Sequence, residues 1–177
     1  MTKVLGISGS LRRGSYNSAL LRAAVRLMPE DATLEVASLR GIPLYDADVE
    51  AQGIPATVNQ LKEAIIAADG VLLATPEYNN SIPGVFKNAI DWLSRPFGDS
   101  ALKDKPLAVV GTAAGQYGGV WAHDETRKSF GVAGPRVVEE LKLSVPAKTF
   151  DGKHPRENAE VAANLRDVIG KLAAEVS

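Results

Sequence analysis

The chain alternates short, nearly continuous apolar runs with longer segments in which apolar residues recur at helical spacing. The runs are Val4–Ser8, Leu34–Ser38, Val71–Thr75 and Leu107–Thr112, with a weaker one at Val137–Val145. Stretches such as VLLAT and LAVVGT, apolar on both faces, suit parallel strands covered on both sides. The amphipathic segments predict helices at about Asn17–Met28, Ala56–Ala68, Val85–Ser94 and Val120–Phe130. A last helix, Asn158–Val176, lines up Val161, Leu165, Val168, Ile169 and Leu172 as a covering face. Between Arg40 and Pro55, Gly41, Pro43, Gly53 and Pro55 interrupt a stretch that reads as irregular and too broken for a helix.

Strand and helix therefore alternate throughout, and parallel neighbours require crossover connections of one hand. The expected architecture is a single α/β domain over residues 1–177. It is a doubly wound, five-stranded parallel sheet of the flavodoxin-like order 2-1-3-4-5, with helices on both faces. In such a sheet, ligands bind beyond the carboxyl ends of the strands, where the strand order reverses. The loops after strands one, three and four should converge there; they read SLRRGSYN, PEYNNSIPG and AAGQYGG.

Composition narrows what those loops can meet. Hydrophobic residues make up 45% and charged residues 23%, ordinary values for a globular chain, and the formal net charge is −1. Nothing in that balance draws the chain to nucleic acid or to an anionic membrane, so a small-molecule partner is expected. The absence of cysteine removes disulfides, thiolate nucleophiles and cysteine metal sites. The apolar start is too short for a signal peptide and no run could span a bilayer, which makes a cytoplasmic protein the expectation. His123, Asp124 and Glu125 are consecutive, point in different directions on a helix and cannot easily share a metal; they read as a solvated helix face, and no metal site is expected.

A glycine-rich turn between strand and helix gathers backbone N–H groups at the positive end of the helix and makes an anion site. Gly9 and Gly14 have Walker A spacing, but Ser15 and Tyr16 stand where lysine and a magnesium-binding hydroxyl are needed. Gly6, Gly9 and Gly14 miss the dinucleotide-binding spacing, and Ser10 replaces the last glycine of a nucleophile elbow. What remains is a set of neutral donors, Ser10, Ser15, Asn17 and Ser18, with Arg12 or Arg13 nearby. That set suits a terminal monophosphate; it equally suits simple capping of the first helix, with Ser15 as the cap.

Read together, GSLRRGSYNSALLRA (9–23) and TPEYNNSIPGVFKNAIDWLSR (75–95) resemble the NADPH-dependent FMN reductase family of flavodoxin-like quinone, azo-dye and chromate reductases. The resemblance implies FMN as cofactor and NADPH or NADH as co-substrate. Ser10, Arg12, Asn17 and Ser18 would bind the FMN phosphate, with Leu11 and Ser15 lining the same turn. Pro76, Glu77, Tyr78, Asn79 and Ser81 would form the loop beside the isoalloxazine ring, and Ala113 and Gly115 of the third loop would face it. No side chain is then required as a catalytic acid or base, because hydride transfer is the cofactor's chemistry. The implied activity is electron transfer from NAD(P)H to quinones or similar acceptors, azo dyes, chromate or free flavin included, by a ping-pong cycle. The competing class is a flavodoxin-type electron carrier, which holds FMN without turning over pyridine nucleotide.

The family resemblance also implies a homodimer, or a dimer of dimers. Val85, Phe86, Ala89, Ile90 and Leu93 share one arc of the fourth helical segment's surface, and Trp92 falls at its edge. Trp92 is therefore expected, with Phe97, near a subunit contact, since aromatic anchors concentrate interface energy.

Overall fold

The computed structural model describes residues 1–176. Its five strands are β1 (Thr2–Ser8), β2 (Ala32–Ala37), β3 (Gly70–Ala74), β4 (Pro106–Ala113) and β5 (Arg136–Pro146). The helices are α1 (Tyr16–Leu27), α2 (Ala47–Gln52), α3 (Ala56–Ala67), α4 (Gly84–Leu93), α5 (Val120–Val132) and α6 (Ala159–Ala174). All strand pairs are parallel, in the order β2-β1-β3-β4-β5. The expected sheet is thus the observed one.

The alternation of side chains along each inner strand splits the core in two. Val4, Leu72, Ala74, Ala108 and Val110 pack under α1 and α6, while Leu5, Ile7, Leu73, Leu107 and Val109 pack under α3, α4 and α5. Both faces are buried, which explains why these strands read as unbroken apolar runs. β5 lies at the sheet edge, and its pairing with β4 slips between Leu107 and Val109, so its hydrophobic pattern is weaker.

Two expectations need correction here. The segment read as too broken for a helix contains α2, six residues capped by Asp46, whose carboxylate accepts from Asp48 N–H. Gly53 ends it, so the punctuation marked its boundaries rather than forbidding it. Trp92 is also not an interface anchor: it is 1% exposed, and its indole N–H donates to Pro43 O at 2.8 Å. The loop from Arg40 to Asp46 folds over α4, where Asn88 Nδ2 also donates to Pro43 O and Tyr45 meets Trp92 edge-on at 5.0 Å. A tryptophan at the edge of one apolar arc is thereby covered by a loop from elsewhere in its own chain.

Candidate functional site

The first loop is ordered by its own hydroxyls. Ser8 Oγ accepts from Ser10 N–H at 3.2 Å, and Ser10 Oγ accepts from Arg12 N–H at 3.3 Å. Ser15 Oγ accepts from the N–H groups of both Asn17 and Ser18, so Ser15 is the N-cap of α1. Ser18 Oγ lies 3.0 Å from Ser8 Oγ. Arg40, from the loop after β2, donates to Leu11 O at 2.7 Å and holds the loop from outside. Among the described residues, the N–H groups of Leu11, Arg13, Gly14 and Tyr16 have no protein acceptor. Four free donors at the positive end of a helix, with Arg12 exposed beside them, have the chemistry that a phosphate dianion requires.

The second loop is a miniature hairpin. Tyr78 and Ser81 exchange two backbone hydrogen bonds, at 3.1 and 3.0 Å, around Asn79 and Asn80. Both asparagines have left-handed backbone, with φ of 51° and 57°, which fits a type I′ turn and explains the Asn-Asn pair. Tyr78 stands half exposed beside the turn. Glu77 is committed elsewhere: its Oε2 accepts from Ala122 N–H at 3.1 Å, in the first turn of α5. Because Gly119 caps α5 without any side chain, Glu77 supplies the anion that this helix end favours and ties the second loop to the third.

The third loop closes through Gly118 N–H donating to Gly115 O. Gly118 has φ of +66°, and a Cβ there would lie 2.6 Å from the backbone of Val145, so the loop can press against β5 only because this residue is glycine. Ala113 and Gly115 stand at the mouth of this loop, half-buried and exposed respectively.

Beneath the three loops lies a buried polar joint. Both side-chain amide atoms of Asn17 engage Thr112: Nδ2 donates to Thr112 O at 3.0 Å and Oδ1 accepts from Thr112 N–H at 2.9 Å. The start of α1 is thereby bolted to the end of β4. His123 Nε2 lies 2.9 Å from Thr75 O, and Nδ1 lies 2.6 Å from Ser144 Oγ. A carbonyl only accepts, so Nε2 carries the proton and Nδ1 accepts from the Ser144 hydroxyl. Burial lowers the His123 pKa to about 4, helped by the Arg127 charge and opposed by the Thr75 hydrogen bond and Asp124, so the ring is neutral near pH 7. Gly111 makes room for the joint: a Cβ there would run into Thr75 O, His123 Nε2 and Asn17 Oδ1.

The helix face read as solvated is therefore only partly so. Asp124 is exposed, but His123 is fully buried and locks three chain segments together. Its consecutive acidic neighbours concealed this, because only the packing of α5 against β4 and β5 decides which of the three turns inward. Gly111, a glycine inside an apolar strand, was the one local signal of a close approach there. Among the described residues no group of three or more acidic, histidine or cysteine side chains could hold a metal ion, and no helix is long and apolar enough to cross a membrane.

A flavodoxin-like sheet whose first loop presents unpaired N–H groups at a helix N-terminus, with two further loops at the same edge, is the architecture of a class of nucleotide-binding α/β proteins. Residues 2–149 match the model of the NADPH-dependent FMN reductase family, and the chain belongs to that family. It is 47% identical over 153 residues to an NAD(P)H-dependent FMN reductase of Pseudomonas aeruginosa, covering 85% of this chain and 82% of that one. It is also 44% identical over 166 residues to a quinone reductase of Pseudomonas putida, covering 94% of this chain and 82% of that one. Among solved structures, the flavoenzyme NAD(P)H:(acceptor) oxidoreductase FerB from Paracoccus denitrificans superposes with a TM-score of 0.87 at 30% identity, covering 99% and 97% of the two chains. The protein is an NAD(P)H-dependent oxidoreductase of the FMN reductase type, and the electron-carrier alternative falls.

Proposed function

We propose that the three loops hold one FMN and that the enzyme passes electrons from NAD(P)H to quinones. The phosphate is assigned to Ser10, Arg12 and Ser18 with the free N–H groups of Leu11, Arg13 and Gly14. Ser15 and Asn17 serve the same turn indirectly, one as helix cap and the other as the bolt to Thr112. The ring is assigned to the space between Pro76–Ser81 and Ala113–Gly115, with Tyr78 as its aromatic wall and the main chain of Glu77 and Asn79 as donors. Bound FMN supplies the hydride-accepting and electron-donating chemistry. The chain's own residues orient it, with Glu77 Oε2 engaged at the start of α5 rather than assigned to the ring.

The observation that carries this reading is the set of unsatisfied N–H groups in the first loop. Quinone use is supported by the Pseudomonas putida relative, whose name states that activity. Supporting a homodimer, or a dimer of dimers, are Leu44, Phe97 and Trp121, large apolar side chains left exposed at 83%, 76% and 50%. A cytoplasmic location is part of the same proposal, because NAD(P)H is supplied there.

The test is reduction of a soluble benzoquinone by the FMN-loaded protein with NADPH or NADH as donor. Parallel double-reciprocal lines at several quinone concentrations are expected, because both substrates use one open face. Intersecting lines would contradict the shared face, and oxidation of NAD(P)H without quinone reduction would contradict the acceptor.

A further inference from the structure

The polar joint at His123 stops one peptide short of the loop assigned to the flavin ring. Glu77 and Asn79 are the main-chain donors of that loop, and among the described residues neither N–H has an acceptor within the protein. The direction of the Glu77 N–H is fixed from behind. Thr75 O accepts from His123 Nε2 at 2.9 Å, and Thr75 Oγ1 donates to the next carbonyl, Pro76 O, also at 2.9 Å. Thr75 and His123 are both fully buried, so water does not compete for either bond.

Peptide planarity carries these two bonds forward along the chain. Holding Thr75 O sets the plane of the Thr75–Pro76 peptide. The proline ring locks φ of Pro76, which leaves only its ψ to turn the following peptide, and the bond to Pro76 O holds that angle. The Pro76–Glu77 bond is trans, so its N–H points away from its C=O and has one direction left to it. On the far side of that N–H, the Glu77 carboxylate is held by Ala122 N–H, the neighbour of His123 in α5.

The other ring loop takes its position from the same joint. His123 Nδ1 accepts from Ser144 Oγ at 2.6 Å, and Gly118 of the third loop is pressed against the backbone of Ser144 and Val145. Two adjacent residues of β5 thereby set the place of the third loop directly and of the second loop through His123 and Thr75.

We propose that His123 is a positioning residue for the redox reaction: through Thr75 it aims the Glu77 N–H at the flavin ring and so raises the ring's affinity for electrons. A donor already fixed in place favours the more electron-rich form of the ring, the reduced one. The proposal rests on the FMN reading above and adds to it a residue buried behind the loop that meets the cofactor.

The experiment compares wild type with His123→Asn, His123→Gln and Thr75→Val. Asparagine keeps an amide opposite Ser144 but is too short for Thr75 O, glutamine restores a donor at the place of Nε2, and valine removes only the hydroxyl that holds Pro76 O. His123→Asn is expected to weaken FMN and riboflavin alike, by about three- to tenfold in fluorescence titration, because riboflavin lacks the phosphate but shares the ring. Reduced FMN should lose more than oxidised FMN, so that the ratio of the two affinities, read from the midpoint potential, changes by about threefold or more. Thr75→Val should change that ratio in the same direction, and His123→Gln should return both readouts to within about twofold of wild type. An unchanged ratio in either His123→Asn or Thr75→Val would overturn the proposal and leave His123 a packing joint. A loss confined to FMN would overturn it by routing the effect through the phosphate, and a glutamine variant no better than asparagine would remove the bond to Thr75 O from the account. Should His123→Asn fail to fold, Thr75→Val alone decides. Wild-type protein that binds neither flavin would defeat the cofactor reading itself. Hydrogen exchange of the Tyr78 and Ala122 amides in the apoprotein would then still show whether the joint holds the loop: faster exchange in His123→Asn and Thr75→Val supports it, and unchanged exchange overturns it.

Discussion

Asn17 and Arg12 lie five positions apart in one motif, yet they hold the site in different ways. Arg12 is exposed and makes no side-chain bond within the protein, so Arg12→Ala should leave the unfolding midpoint of the apoprotein in place. It should weaken FMN by about one to two orders of magnitude, seen by flavin fluorescence quenching. Asn17→Ala strands the buried N–H and C=O of Thr112 and should cost about 2–4 kcal/mol in urea unfolding of the apoprotein, with FMN affinity falling as a consequence. Matching effects from the two variants would mean that Asn17 is not a structural bolt. His123 makes a pH prediction. Its folded-state pKa of about 4 lies below the ordinary 6.5, so the unfolded chain takes up a proton that the folded chain refuses. The contribution of the neutral ring is complete above pH 6.5 and declines as pH falls toward 4, by about 3 kcal/mol in all. Urea midpoints measured across that window should fall for the wild type and fall less steeply for His123→Gln; coincident slopes would remove His123 from the account.

At the scale of elements, the site depends on how two helices begin. α1 is capped from within its own sequence by Ser15, and Ser15→Ala should cost about 0.5–2 kcal/mol while loosening the loop in front of it. α5 has no capping side chain of its own and is met by Glu77 from another loop. Glu77→Ala should therefore cost about 1 kcal/mol and also reduce FMN affinity, because the second loop loses its tie to the third. Thermal melts with and without FMN separate the two effects. A Glu77→Ala enzyme of unchanged stability and flavin affinity, but lowered turnover, would show that the carboxylate acts in the chemistry after all.

For the whole molecule, the prediction concerns assembly. Trp92 packs under Pro43 and Tyr45 inside its own chain, so Trp92→Ala should destabilise the fold by about 3–5 kcal/mol without altering the association state of the molecules that remain folded. Phe97, exposed beyond α4, is the better interface candidate, and Phe97→Asp should shift sedimentation toward the monomer while leaving the unfolding midpoint of that monomer near the wild-type value. Wild-type protein that sediments as a fully active monomer would refute the proposed dimer.

The periodicity of apolar residues was sufficient for the sheet, its order and the convergence of three loops, because strands buried on both faces and helices buried on one leave regular local patterns. The order of the first loop was legible for a similarly local reason: Ser15 caps the helix that follows it, and the N–H groups of Leu11, Arg13, Gly14 and Tyr16 that are left without protein acceptors all belong to that one turn. Contacts between residues distant in sequence were not legible. Asn17 meets Thr112 across 95 positions, His123 reaches Thr75 across 48, and Trp92 is covered by Pro43 across 49. A side chain's neighbours on its own strand or helix follow from spacing alone, whereas its partner on another element follows only from how the layers pack, and that packing set the roles of Asn17, His123 and Trp92.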